Sequence, residues 1–248
     1  DTDYVRFSIF LCSALLFTLL PVSNARYKKI SFIVLLGAIL LLAVRTGWVI
    51  AAIIVAGYSI YYLKSKPAIN RNRTRNILIA LIALIAILVI TPTIQQKIRY
   101  TIYDWNTYNT KGYDSTYSDG VRRAINTVAL KAITEDLSTA IGWSAIPSAI
   151  QLKFTQVMNG QNTQYGWPFN QWLFWWMGSG WWGMVLFTAW LFYPAWFGYR
   201  NKNPYLIIWT LAIAVSCLVE TTINYQYGAL LHVWPLLVCW QATKKLSN

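Results

Sequence analysis

Apolar residues along this chain fall into long runs separated by short polar segments, and one polar segment is much longer than the others. Several runs approach the roughly 20 residues that an α-helix needs to cross a bilayer. The pattern therefore predicts an all-α polytopic membrane protein with about seven transmembrane helices in a single membrane domain over residues 1–248. The predicted spans are 5–22, 30–44, 48–63, 77–90, 170–197, 205–219 and 228–240, and the long polar segment is 91–167.

The long polar segment at 91–167 contains helix signals of its own. Ser118-Asp119-Gly120 is typical of a turn followed by a helix start. Apolar residues then recur with helical spacing, which predicts an amphipathic helix over 121–140. A second short helix is expected over 149–158, so the loop is partly helical. The stretch 100–117 is rich in Tyr, Asn and Thr and suits an interfacial surface or contacts with sugars.

Composition and charge agree with a membrane protein. Hydrophobic residues make up 56% of the chain and charged residues 12%, whereas a soluble domain carries about 25% charged residues. The net charge of +13 would suit a nucleic-acid partner, but no basic run accompanies a nucleic-acid-binding motif, so no such partner is expected. One histidine and three cysteines inside apolar runs predict no metal, no cofactor and no disulfide framework.

The distribution of charge predicts the orientation of the chain. The loops 24–29, 64–76, 199–204 and 241–248 contain Lys and Arg but no acid, and all eight acidic residues lie elsewhere. Lys and Arg are enriched in cytoplasmic loops of membrane proteins, so we expect these four loops on the cytoplasmic side. The long loop, Arg45 and Glu220 then share the outer face.

Three arginines are candidate anion ligands. Arg45 lies between two apolar runs, where a charge is costly and indicates function, although its side chain could equally snorkel toward lipid phosphates. Arg122 and Arg123 fall near the predicted helix start at 118–120, where the helix dipole disfavours cations. A diphosphate would offset that cost because the guanidinium fork matches phosphate oxygens. A solvated helix face is the alternative.

Other polar residues lie at the ends of apolar runs. Asn170 and Gln171 begin one span, where amide side chains often simply cap a helix. Glu220 ends another span and either marks the water boundary or pairs with Arg45. His232 lies about one turn inside the last span, where a core or interface role is the simpler interpretation.

Four motifs occur in order along the chain: Arg45-Thr46-Gly47, Ser118 to Arg122, Asn170 to Leu173 with Gly180 to Gly183, and Glu220 with Gln226 and Gly228. Their order resembles that of the O-antigen ligase and O-antigen polymerase family. Arg45-Thr46-Gly47 resembles the family's Ser-Arg-Gly or Arg-Thr-Gly at the outer end of a span, and Ser118 to Arg122 resembles its Ser-x-x-x-Arg helix start. Asn170 to Leu173 with Gly180 to Gly183 resembles its His-Asn-x-x-Leu…Gly-x-x-Gly signature. Glu220, Gln226 and Gly228 resemble its Glu-x(5)-Gln-x-Gly turn between the last two spans.

The resemblance implies a metal-independent glycosyltransferase of the GT-C type in the bacterial inner membrane, with its active side periplasmic. Such enzymes move a glycan from an undecaprenyl-diphosphate carrier to lipid A core or to a growing polysaccharide in lipopolysaccharide biosynthesis. Arg45 and Arg122, with Arg123 beside them, would converge on the diphosphate, while Asn170 and Glu220 are the catalytic candidates. Membrane lipids are further partners. Because the family usually has about a dozen spans, we expect this chain to be a C-terminal part of a longer protein.

The chain departs from the family pattern at the signature histidine, which is proposed to deprotonate the acceptor hydroxyl. Phe169 stands at that position and cannot accept a proton. Asp119, Glu220 and His232 are candidate substitutes. A catalytically impaired homologue, or a non-enzymatic transporter or flippase component, therefore remains an alternative. Transporters usually place ionisable residues near the bilayer midplane, whereas here most are expected at the outer edge.

Overall fold

The computed structural model describes residues 2–21, 25–65, 91–135 and 140–244. Within these ranges every regular element is a helix, which confirms the all-α prediction. The α-helices are α1 (Thr2–Leu19), α2 (Ala25–Leu41), α3 (Arg45–Ser65), α4 (Pro92–Lys111), α5 (Ser118–Glu135), α6 (Ile146–Val157), α7 (Gln171–Arg200), α8 (Pro204–Val219) and α9 (Gln226–Lys244). The predicted span 77–90, most of the loop 64–76 and the C-terminal residues from 245 lie outside the described residues.

Among the described helices, one is long and apolar enough to cross a membrane by length and composition, and it covers Arg45–Lys64. Tyr4–Leu19 and Pro204–Val219 are apolar but shorter. The helix α7 is longer, with seven tryptophans along its 30 residues, and tryptophan favours the membrane–water interface over the hydrocarbon core. The number of seven spans stays a prediction.

The chain divides into two compact units. Unit 1 comprises Asp1–Lys97, Phe192–Val215 and Gln226–Asn248, and unit 2 comprises Ile98–Leu191 and Ser216–Tyr225. Unit 2 thus contains most of the predicted outer loop together with the first part of α7 and the turn after α8. That the whole chain forms one membrane domain stays a prediction.

In unit 1, close contacts between helices depend on small residues. The Sγ of Cys12 in α1 lies 3.4 Å from the carbonyl oxygen of Gly47 in α3. A Cβ at Gly47 would come within 2.8 Å of the Ser8 side chain, so glycine is needed for this approach. Farther along the chain, the indole of Trp209 donates a hydrogen bond of 2.9 Å to Leu231, which joins α8 to α9.

The turn between α2 and α3 lies earlier than expected. Ala43 has a left-handed backbone conformation with φ of 53°, which ends α2. Val44 then accepts the first backbone hydrogen bond of the next helix from Trp48, at 3.1 Å. The predicted interruption at 45–47 is therefore wrong, because Arg45 is the first residue of α3.

The core of unit 2 confirms the amphipathic pattern predicted in the outer loop. Apolar residues of α5 pack against α6 and Met177. The buried residues are Val121, Ala124, Ile125, Val128, Ala129 and Ile133 from α5, and Ile146, Ile150 and Phe154 from α6. The predicted second short helix is α6, although it starts at Ile146 and has Pro147 in its first turn. Proline is tolerated there because a first-turn N–H has no partner within the helix.

The helix α7 is broken at Gly180, whose φ of 73° and ψ of 179° are not helical. The sequence predicted a continuous span over 170–197. Glycine adopts positive φ without steric cost, so the chain can bend there. The loop before α6 closes against this region, since the backbone N–H of Ile141 donates to Met177 at 2.9 Å and the ring of Trp143 occupies the space beside Gly178.

Candidate functional site

The start of α5 is fixed by a buried carboxylate from α4. Asp104 is 1% exposed and accepts hydrogen bonds from the backbone N–H of Asp119 at 2.8 Å and of Gly120 at 3.1 Å. An anion at this position satisfies N–H groups that the helix leaves unpaired and interacts favourably with the helix dipole. The protein therefore supplies an anion of its own at the helix start.

The loop between α4 and α5 is held by local hydrogen bonds. Asp114 accepts hydrogen bonds from the backbone N–H of Thr116 at 2.9 Å and from its hydroxyl at 2.8 Å. These hydrogen bonds favour the charged form and lower the pKa of Asp114. The rings of Tyr103 and Tyr117 lie 5.6 Å apart, and the interaction of their hydroxyl groups lowers the pKa of Tyr103 and raises the pKa of Tyr117.

Arg122 occupies the centre of a polar cluster in unit 2. It donates a hydrogen bond of 2.7 Å from Nη1 to the carbonyl oxygen of Val219, and Nη2 lies 3.9 Å from a carboxylate oxygen of Glu220. The guanidinium carbon is 5.0 Å from the centre of the Phe169 ring, a cation–π distance. Arg122 thus contacts both Glu220 and the position where the family signature has a histidine.

Glu220 follows the last residue of α8, and its side chain is 8% exposed. A carboxylate is disfavoured at a helix C-terminus because the helix dipole is negative there. Arg122 offsets this cost, since it binds the carbonyl of Val219 and the carboxylate together. The two residues therefore form one electrostatic unit.

Asn170 joins the start of α7 to the end of α8. Its Oδ1 accepts hydrogen bonds from the backbone N–H of Trp172 at 2.9 Å and of Leu173 at 3.2 Å, as an N-cap residue does. Its Nδ2 donates to Leu218 at 3.2 Å. These contacts position Asn170 between the two helix ends, and its catalytic role stays a prediction.

Gln171 is fully buried and ties α7 to the turn after α8. Its Nε2 donates to the Asn224 side chain at 2.7 Å, and its Oε1 accepts from the backbone N–H of Ile223 at 3.1 Å. The backbone N–H of Phe169 donates to Oδ1 of Asn126, one helical turn beyond Arg122 in α5, at 2.8 Å. These hydrogen bonds fix Phe169 from both sides.

Arg123 faces a different region from Arg122. Its Nη1 donates to Asn109 at 2.8 Å, and its guanidinium lies 4.2 Å from the Trp105 ring centre and 4.7 Å from that of Tyr108. With Asp119 it lines a separate cavity of about 390 Å³. Adjacent residues on a helix project about 100° apart, which explains the separation of the two arginines.

The remaining candidates lie in unit 1. Arg45 begins α3, and His232 is a buried residue of α9. The convergence of Arg45 with Arg122, and its pairing with Glu220, stay predictions. Sequence reasoning missed Asp104, Asn126 and Asn224; only Asn126 carried a local signal, namely its position one turn after Arg122.

The comparison with known families gives the relationship of this chain. The sequence model of the family described as O-antigen ligase matches residues 11–188. The chain belongs to the O-antigen ligase family. The match spans most of the chain and includes Arg45, Arg122 and Asn170, whereas Glu220 lies beyond it. No curated protein matches the chain.

Membership confirms the resemblance stated above. Members of the O-antigen ligase family are membrane-associated glycosyltransferases of the ligase or polymerase type. Their substrates are, as a class, lipid-linked glycans. In this chain, the cluster of Arg122, Phe169, Asn170 and Glu220 offers a guanidinium group for an anion and a carboxylate for a proton. A hydrogen bond to Val219 fixes the guanidinium group, and the ion pair joins it to the carboxylate, which suits a preorganised site.

Proposed function

We propose that this chain transfers a glycan from an undecaprenyl-diphosphate carrier to an acceptor, either lipid A core or a growing polysaccharide. The reaction takes place at the periplasmic face of the bacterial inner membrane. The observation that supports this proposal is the meeting of Arg122, Phe169 and Glu220 at the position of the family signature. Family membership supports lipid-linked glycan transfer in general; the carrier, the acceptor and the orientation belong to the proposal.

The reaction places two demands on the site. The acceptor hydroxyl oxygen attacks the anomeric carbon of the donor sugar while the bond from that carbon to the diphosphate oxygen breaks. Negative charge accumulates on the leaving diphosphate, and the hydroxyl proton passes to a base. Fixed donors aimed at the developing charge stabilise such a transition state.

Arg122 is the residue proposed to bind the diphosphate within unit 2. A guanidinium group has five N–H donors, and the hydrogen bond to Val219 uses one of them. The separation of 3.9 Å from Glu220 exceeds hydrogen-bond distance, so the fork can also bind phosphate oxygens. Arg45 is proposed as the second diphosphate ligand on the strength of its family motif. The same role for Arg123, which lines a separate cavity, stays a prediction.

Glu220 is the proposed base in place of the missing histidine. It pairs with the guanidinium group that lies over the Phe169 ring, whereas Asp119 lines the separate cavity beside Arg123. Arg122 stabilises the charged carboxylate, which is the form that accepts a proton. A positioned base contributes about 10²–10⁴-fold to the rate.

A transfer assay tests the proposal. The full chain is reconstituted in vesicles with a radiolabelled undecaprenyl-diphosphate glycan and a glycan acceptor. We expect slow transfer by the natural sequence, a higher rate for Phe169→His, and a loss of about 10²-fold or more for Glu220→Gln. Glu135→Gln, at the exposed end of α5, is the control and should transfer at the natural rate.

The same assay separates the alternatives. Movement of the labelled glycan across the bilayer without transfer would favour a transporter or flippase component. Absence of transfer in the natural sequence, together with transfer in Phe169→His, would identify a catalytically impaired homologue. Absence of transfer in both would refute the proposed activity.

Orientation is tested separately with an impermeant thiol reagent on intact cells. Cysteine is introduced at Asn106, exposed in α4, and at Asn72 in the predicted cytoplasmic loop. The native cysteines Cys12, Cys217 and Cys239 are buried, so background labelling should be low. Labelling at 106 but not at 72 is expected, and the reverse would move the site away from the periplasm.

A further inference from the structure

A second cavity, remote in sequence from the cluster around Arg122, lies among α1, α2 and α3 in unit 1. Its volume is about 390 Å³. Lys28, Lys29 and Ser59 line it, and Phe32 and Val55 contribute apolar surface. A cavity that combines cations, a hydroxyl and apolar walls suits an amphipathic anion.

The two lysines lie near the N-terminus of α2, in a helix without an acidic residue in its first turn. Cations are disfavoured at this end of a helix because the dipole is positive there. Within the part of the chain that the structure describes, neither Lys28 nor Lys29 forms an ion pair. An anionic group in the cavity would offset both the mutual repulsion of the lysines and their unfavourable interaction with the dipole.

The hydroxyl group of Ser59 adds a requirement on the ligand. It donates its proton to the carbonyl oxygen of Val55 at 2.7 Å, so its oxygen is left as an acceptor. A ligand that contacts Ser59 must therefore bring a hydrogen-bond donor as well as negative charge. A zwitterionic headgroup that ends in a primary ammonium group would supply the donor, but Lys28 and Lys29 would repel its positive charge.

The exposed apolar side of α2 provides a surface on which acyl chains can lie. Ile33, which lines the cavity, is 68% exposed, and the next residue, Val34, is 62% exposed. Apolar side chains exposed to this degree on a membrane protein face lipid more favourably than water. The apolar surface continues directly from the cavity, so one ligand could occupy both.

We propose that this cavity binds an anionic glycerophospholipid of the phosphatidylglycerol type. The phosphate lies between Lys28 and Lys29, a hydroxyl of the glycerol headgroup donates to Ser59, and the acyl chains extend along Phe32 and Ile33. Basic pockets between membrane helices are known to bind such headgroups through the same chemistry. This site is independent of the proposed glycan transfer.

The experiment uses the full chain in a mild non-ionic detergent and measures its midpoint of thermal unfolding against added lipid. Phosphatidylglycerol should raise the midpoint in a saturable way, because a ligand that binds only the folded protein stabilises it. Phosphatidylcholine, phosphatidylethanolamine and inorganic phosphate should leave the midpoint unchanged. Protection by phosphate alone would show a soluble-anion site and would overturn the lipid assignment.

Two matched double variants show whether the lysines are responsible. Lys28→Gln/Lys29→Gln removes the charges of the cavity, and Lys64→Gln/Lys202→Asn removes two charges elsewhere on the same predicted side of the membrane. The concentration of phosphatidylglycerol for half-maximal protection should rise about tenfold to thirtyfold in the first variant. It should not change in the second. Equal protection of both variants would overturn the proposal.

Discussion

The ion pair between Arg122 and Glu220 leads to a quantitative prediction about stability. Arg122→Met keeps a flexible side chain of similar length but removes the positive charge from a carboxylate that is 8% exposed. It also removes the hydrogen bond to the carbonyl of Val219 at the end of α8. Breaking a buried pair on one side is costly because the remaining charge stays buried.

The geometry sets the size of the effect. Two unit charges 3.9 Å apart attract each other by about 4 kcal/mol at an effective dielectric constant of about 20. The Arg122 side chain is 31% exposed, so solvent screens part of this attraction. We therefore expect a coupling energy of about 2 kcal/mol between the two positions.

A double-mutant cycle measures this coupling. The free energy of unfolding is determined in detergent for Arg122→Met, Glu220→Gln and the double variant, and the double variant should be more stable than the sum of the single losses predicts. Lys153 and Glu135 form an ion pair in the same unit in which the Glu135 side chain is 61% exposed. This pair provides the control cycle, with an expected coupling below about 1 kcal/mol. Additive losses at 122 and 220 would refute the view that these residues act as one unit.

Further predictions concern the elements that support the site. Gly178→Ala should destabilise the protein by about 1–3 kcal/mol, because a Cβ there would overlap the Trp143 ring. Gly37→Ala is the control, since a Cβ there meets open space and should not destabilise the protein. Equal effects of the two substitutions would contradict the packing of Trp143 on α7. Asp104→Asn should lower the free energy of unfolding by about 1 kcal/mol, because the two carboxylate oxygens each accept a backbone N–H and an amide has only one acceptor oxygen. An unchanged value would contradict this contact. The lowered pKa of Asp114 predicts that its carboxylate stabilises the fold at neutral pH and that this contribution is lost as the pH falls through that pKa. Thr116→Val should raise the pKa of Asp114 measured by nuclear magnetic resonance. No rise would exclude the Thr116 hydroxyl as a cause of the lowered pKa.

Local patterns in the sequence predicted much of the helical structure. The turn signal at Ser118 and the apolar spacing after it predicted α5, because a helix that buries one face carries that periodicity. The apolar runs predicted α1, α2, α3, α8 and α9 through their length, because an apolar run of nearly 20 residues indicates a helix that crosses a membrane. By contrast, α4 was missed because its Tyr-, Asn- and Thr-rich sequence has low intrinsic helix propensity.

The candidate site was predictable in composition but not in its contacts. Arg122 and Glu220 were recognised from family motifs, yet the pairing of two residues nearly a hundred positions apart depends on tertiary packing. The same holds for Asp104, which caps a helix from another element. The break at Gly180 also depends on its surroundings, since a single glycine can remain within a helix at a modest cost.

Direct binding of undecaprenyl diphosphate to the purified full chain tests the central claim, which is that Arg122 holds the diphosphate of the donor. Arg122→Lys keeps the charge but loses the planar fork that matches phosphate oxygens. We predict that its dissociation constant is about tenfold or more higher than that of the natural sequence. Arg99→Lys, on the exposed surface of α4, should bind as the natural sequence does. Equal affinity of Arg122→Lys and the natural sequence would contradict the claim.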